Sequence, residues 1–181
     1  MVFRVLVFVH RWLGVALCVL FLLWFPSGIV MMYWEYPSVT PADRIERAAP
    51  LRGDTIAVPL SEALTKSGAS APRQIRLAAF DGRPVYRVRS GRDEAIVYAD
   101  TGELQDQVTR TMADRIAAAW TSRNASRPDV DTLSDVDQWT LQQRADMPLW
   151  KYSWDDGQAL YISQASGEVV QHTTRSSRLY A

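Results

Sequence analysis

Residues 83–110, RPVYRVRSGRDEAIVYADTGELQDQVTR, align by eye with residues 147–175, MPLWKYSWDDGQALYISQASGEVVQHTTR. Each stretch opens with Pro, an apolar residue, an aromatic and a base. An aromatic strand-like run follows, and each closes on a turn glycine, a glutamate and an apolar residue. The second copy carries one extra residue overall. A match at this spacing is the mark of an internal repeat, and the fold class follows from what flanks it.

Ahead of the first copy, PLSEALTKSG (59–68) reads as a short helix closed by Gly68. The runs RQIRLAA (73–79), PVYRVR (84–89) and EAIVYA (94–99) read as strands, with Asp81-Gly82 and Ser90-Gly91 as the turns between them. Ahead of the second copy, TRTMADRIAAAWTSR (109–123) places Ile116, Ala119 and Trp120 at helical spacing. A polar loop (124–135) should follow. Strand candidates come next at 136–143 (VDQWTLQQ), 149–154, 158–163 and 168–173. The expectation is an α+β region of two units, each a helix with a three-stranded antiparallel sheet, at 56–108 and 109–181. Residues 35–55, rich in Pro and charge without a clear period, read as a linker.

The composition hides an asymmetry. With 48% apolar residues and zero net charge, the whole looks unremarkable. Yet residues 1–34 hold no acid, and their only ionisable polar side chains are Arg4, His10 and Arg11. All 20 acids and 18 of the 20 bases lie beyond Trp34. From Leu13 to Trp34 the chain runs 22 residues without a charge, LGVALCVLFLLWFPSGIVMMYW. About 20 apolar residues at 1.5 Å each span a bilayer core of ~30 Å. Arg11 and Trp12 mark one interface, and Tyr33, Trp34 and Tyr36 the other. A cleaved signal peptide should be shorter and end in small residues, whereas this run ends Met-Met-Tyr-Trp. Residues 1–34 are therefore read as a transmembrane anchor. Pro26-Ser27-Gly28 should interrupt its helix or let a neighbouring helix approach closely. Arg4, Arg11 and the amino terminus favour a cytoplasmic N-terminus, against Arg44, Arg47 and Arg52 on the other side.

Near-neutral charge without a Lys/Arg cluster argues against nucleic acid as a partner. Cys18 is the only cysteine, which rules out a disulfide framework and a cysteine zinc site. Neither a Gly-x-Ser-x-Gly elbow nor a phosphate-cradling glycine loop occurs. The acids at Asp129, Asp131, Asp135 and Asp137 lack the central Gly and final Glu of a calcium loop. They read as solvated loop, and Asp155-Asp156-Gly157 reads as a hairpin turn. In LWKYSW (149–154), alternation puts Trp150, Tyr152 and Trp154 on one face, read as core. His10, at the membrane edge of the helix, is the strongest functional candidate, since an ionisable residue there is costly. His172, in VVQHTTR, reads as a solvated strand end.

The membrane end, HRWLG (10–14) with Ser27-Gly28, the helix-then-three-strand repeats and DTGE (100–103) resemble the PepSY-associated transmembrane proteins of bacteria. ASGEVVQHTTRSSRLYA (165–181) resembles the segment that, in larger members, leads into a second transmembrane helix. The resemblance covers nearly the whole chain, with HRWLG its most specific element. It implies an inner-membrane protein whose two PepSY-like units form a periplasmic binding or regulatory module, part of an iron-uptake-related system. Some members reduce ferric siderophores using haem. That implies His10 as an axial ligand of haem b, in a site shared with helices or a partner outside this chain. The chain departs from the larger members in length, which makes it an N-terminal portion or a short member. With a cytoplasmic N-terminus, His10 and His172 fall on opposite sides of the bilayer and cannot share one iron.

Overall fold

The computed structural model describes residues 2–33, 36–91, 93–122 and 127–180. The chain divides into two compact units: α1 belongs to one, and Pro37–Arg175 forms the other.

Helix α1 (Val2–Tyr33) is 32 residues long and buries none of them. It is long and apolar enough to cross a membrane. The helix runs unbroken through Pro26, Ser27 and Gly28. There the Ser27 hydroxyl donates to the Trp24 carbonyl at 2.7 Å.

In the second unit, α2 (Pro41–Glu46) and a single 3-10 turn (Gly53–Thr55) fall within the segment read as linker. Thr40 and Asp43 form a reciprocal capping box at the α2 N-terminus. Then α3 (Leu60–Ser67) ends on Gly68, whose φ of 67° is the left-handed cap geometry. Strands β1 (Gln74–Phe80), β2 (Arg83–Ser90) and β3 (Asp93–Tyr98) form an antiparallel sheet in that order. Helix α4 (Arg110–Thr121) follows, its N-terminus capped by the Thr109 hydroxyl, which accepts from Met112 N at 3.3 Å.

The second sheet has four strands, not the expected three: β4 (Asp129–Leu133), β5 (Leu149–Ser153), β6 (Ala159–Ser163) and β7 (Val169–Thr173), in chain order. Two expectations change here. The extra strand lies in what was read as polar loop. The segment 136–143, expected as a strand, is a turn leading into 3-10 structure at Leu141–Asp146. Trp139 and Met147 tuck under the second sheet against Leu149, Ala159, Tyr161 and Val170. A segment that must fold back beneath a sheet cannot run as one of its strands. The last described element is α5 (Arg175–Tyr180).

Helix α4 is shared by the two sheets. Its Ala113 and Ala117 pack on Tyr152, Trp154, Leu160 and Ile162 of the second sheet. Met112 and Ile116 meet Phe80, Val85, Ile96 and Tyr98 of the first, and Trp150 joins that cluster. Small alanines let α4 approach the second sheet closely. The opposite face of the first sheet is covered by α3 through Ala63 and Leu64 against Tyr86, Val88, Val97 and Ala99.

The sequence repeat has a structural counterpart in two turns. Gly102 N donates to Tyr98 O at 2.7 Å, and Gly167 N to Ser163 O at 2.9 Å. Tyr98 N donates to Glu103 O at 2.8 Å, and Ser163 N to Glu168 O at 3.0 Å. In both, the Glu backbone N–H also reaches a hydroxyl two residues back, Thr101 at 3.3 Å and Ser166 at 3.2 Å. The extra residue of the second copy lies in its hairpin turn. Arg89 pairs with Glu94 across four residues, whereas Ser153 pairs with Ala159 across five that contain Asp155-Asp156-Gly157.

Candidate functional site

Strand alternation brings bases together on one face of the first sheet. Arg76 of β1 is paired in register with Arg87 of β2, and Arg89 with Glu94 of β3. Two guanidiniums side by side repel, and Arg87 is only 4% exposed, so compensating carboxylates are required. One is Glu94, whose side-chain oxygens lie 3.0 Å from Arg87, 3.4 Å from Arg76 and 3.5 Å from Arg89. The other, Glu168, comes from the turn before β7 in the second sheet. It accepts from Arg76 Nη2 at 2.6 Å, with Arg44 of α2 at 3.6 Å and Arg87 Nε at 3.8 Å. The Phe80 ring lies 5.3 Å from the Arg87 guanidinium. The seam between the sheets is thus a network of four arginines, one of them buried and three partly exposed, around two largely buried glutamates.

Electrostatics sort the acids near this seam. Burial pushes the Glu168 carboxyl up, but the Arg87, Arg44 and Arg76 guanidiniums outweigh it and hold the group below its ordinary value. Asp146, half-buried, is pushed up by burial and by Glu168, against the opposing pull of Arg89 and Arg44.

The same seam fixes the stem through which the chain enters this unit. The fully buried Gln171 side chain of β7 donates to Pro37 O at 2.6 Å and to Trp139 O at 2.9 Å. Arg44 Nε donates to Val169 O at 3.3 Å. Arg47 donates to Trp120 O at 2.9 Å, and its guanidinium lies 5.1 Å from the Trp120 ring. Val39 packs into the α4 core. Pro37, Val39, Arg44 and Arg47 are therefore structural parts of the folded unit.

The residues singled out from sequence land as follows. His10 lies on α1 and is exposed. A haem held from α1 needs a second element to enclose it, and α1 is the one membrane-length helix among the described residues. These residues offer a single histidine ligand from α1 and do not by themselves fit a complete haem site. His172 is not the solvated strand end expected: its Nε2 is buried and has no hydrogen-bond partner among the described residues. Burial and then Arg47 push its pKa down, with Asp43 opposing. Tyr152 and Trp154 are core, and Trp150 packs against the same core. Asp155-Asp156-Gly157 forms the β5–β6 turn, with Gly157 at a φ of 83°. Asp129 and Asp131 belong to a strand rather than a loop. Asp137 is occupied internally, accepting from Thr140 Oγ1 at 2.9 Å and Tyr161 Oη at 3.1 Å. Among the described residues, no group of three or more His, Cys, Asp and Glu is placed to hold a metal ion.

The arginine–glutamate seam was not read from sequence. Its signal was present in Arg87 and Arg89, two residues apart on one strand, with Glu94 on the next. The partner Glu168 is invisible locally, because it arrives from a turn 92 residues beyond Arg76. The seam holds no nucleophile. It offers guanidiniums at Arg44, Arg76 and Arg89 that are about a third to two-fifths exposed, at 31%, 32% and 42%. These can receive an anionic group. Comparison of the chain with protein-family models, with curated proteins and with solved structures finds no match in any of the three.

Proposed function

We propose that this chain is a membrane-anchored binding or regulatory module of the PepSY type, its α1 in a bacterial inner membrane and its two-sheet unit in the periplasm. The observation that carries the reading is the stem. The folded unit begins at Pro37, close in sequence to the end of α1, and hydrogen bonds of Gln171, Arg44 and Arg47 hold that entry against β7 and α4. Three residues separate Tyr33 from Pro37 in sequence, so the domain works close to the surface that α1 occupies.

The test is expression of the full chain in a bacterial host, with alkaline phosphatase fused after Ala181. The expected result is an active fusion that stays in membranes through alkaline carbonate washing and retains Val2–Tyr33 by mass spectrometry. Loss of that segment would identify a processed signal sequence, and an inactive phosphatase would reverse the orientation.

A second reading follows from His10: the chain supplies one axial ligand to a haem of a ferric-chelate reductase, in a site completed by other helices. Its support is the place of His10 near one end of an exposed apolar helix. Co-purified or haem-supplemented protein should then show a Soret band that His10→Ala abolishes. A flat spectrum in both preparations would end this reading.

A further inference from the structure

Among the described residues, each sheet leaves one edge open. The outer side of β3 is occupied by the Val97–Leu104 bridge, and that of β7 by the stem. In contrast, β1 pairs only with β2, and β4 only with β5, among the described residues. An unpaired strand edge is a template for another strand.

The two edges differ in a complementary way. On β1, Ile75 and Leu77 lie on the α3 face beside Val88 and Tyr86, yet are 37% and 41% exposed. The α3 core contacts, through Ala63 and Leu64, stop at β2 and β3. On the other face, β1 carries Arg76, part of the seam where four guanidiniums share two glutamates and stand in positive excess even with Asp146 counted. Strand β4 reads Asp129-Val130-Asp131-Thr132-Leu133, with both aspartates and Thr132 exposed. Lys151, directly opposite Asp131, is directed to Asp137 at 3.7 Å. One edge is thus basic on one face and apolar on the other; the other edge carries exposed Asp129 and Asp131 on one face and Val130, packed in the α4 core, with exposed Thr132 on the other.

We infer that this chain associates head to tail with a second copy of itself, β1 of one copy adding to β4 of the next. An antiparallel register with Asp131 opposite Arg76 sets Val130 opposite Leu77 and Thr132 opposite Ile75. Charge then meets charge on one face, and β-branched side chains meet aliphatic ones on the other. The first sheet of one copy and the second of its neighbour become one seven-stranded sheet. The contact is heterologous, so each copy keeps one free edge and association proceeds to rings or chains.

The experiment uses the full chain in detergent micelles, with mass measured by light scattering. The native chain should form oligomers whose mean mass rises with concentration. A β1-blocked variant (Ile75→Lys with Leu77→Lys) and a β4-blocked variant (Asp129→Arg with Asp131→Arg) should each be monomeric. Mixed, they should form dimers and stop there, since one intact edge of each kind remains per pair. A native chain that is monomeric at every concentration overturns the inference. So does a β4-blocked variant that still associates, which would indicate β1-to-β1 pairing. Where circular dichroism shows either variant unfolded, Ile75→Cys and Thr132→Cys chains, both carrying Cys18→Ser, replace them. Oxidative crosslinking only on mixing supports the contact, and its absence overturns it.

Discussion

Glu168 Oε1 lies 2.6 Å from Arg76 Nη2, joining a turn of the second sheet to the edge strand of the first. The same carboxylate lies near Arg87, which is 4% exposed. Removing one partner of a buried charge network costs roughly 3 kcal/mol, because the remaining charges stay buried. Glu168→Gln should lower the melting temperature of the soluble unit by about 10 °C. Arg52→Ala, which breaks an exposed pair with Asp54, should change stability by less than about 0.5 kcal/mol. Thermal melts followed by circular dichroism compare the two.

Glu168 and Asp146 give opposite pH dependences. Glu168 is held below its ordinary 4.5, so its contribution is present above that value and lost as the pH falls through the lower folded value. Asp100, held low by its hydrogen bond from Arg83, shares this acid limb. Asp146 is raised from its ordinary 3.8, so its folded state favours the protonated form, and that advantage fades as pH rises. Asp146→Asn should therefore raise the melting temperature at pH 7 and leave it unchanged at pH 3. Equal gains at both would show that Asp146 is not buried against Glu168.

The two repeat glycines should respond unequally. A Cβ on Gly167, at a φ of 65°, would stand 2.5 Å from Phe80 Cε2 and 3.3 Å from Val108 Cγ1, both packed in the core. Overpacking and backbone strain together make Gly167→Ala cost about 3 kcal/mol. On Gly102 the nearest atom is Lys66 Nζ, the end of a flexible side chain, so Gly102→Ala should cost about 1 kcal/mol. Chemical denaturation of the two variants measures the difference.

Gln171→Leu removes the donor that holds Pro37 of the stem and Trp139 beneath the second sheet. Pro37 O and Trp139 O lose a buried partner, at about 1–3 kcal/mol each. Trypsin should then cut after Arg44 and Arg47 well before it cuts elsewhere in the unit, whereas the native chain should resist there. Early cleavage in the native chain would show that the stem is not held as described.

Much of the fold was legible locally. Helix α3 and strands β1–β3 follow from period, turn residues and Gly68, because short antiparallel units are built from neighbours in sequence. The two strand departures have separate causes. Asp129–Leu133 looks like loop because an edge strand tolerates charge on its exposed face. VDQWTLQQ looks like a strand because Trp139 and Leu141 carry β-like spacing, yet Trp139 is needed beneath the second sheet. The linker reading of 35–55 missed α2, whose pattern is too short to show a period.

The sequence by itself determined that a long apolar helix precedes a repeated helix-and-sheet region, since hydropathy, turn chemistry and repeat spacing act over a few residues. Tertiary structure alone decided that α4 is shared by both sheets, that Gln171 and Arg44 hold the stem, and that Glu168 meets Arg76 and Arg87. Those contacts join residues dozens of positions apart. Their energies depend on burial and on which charges are left facing one another, quantities that exist only once the chain has closed on itself.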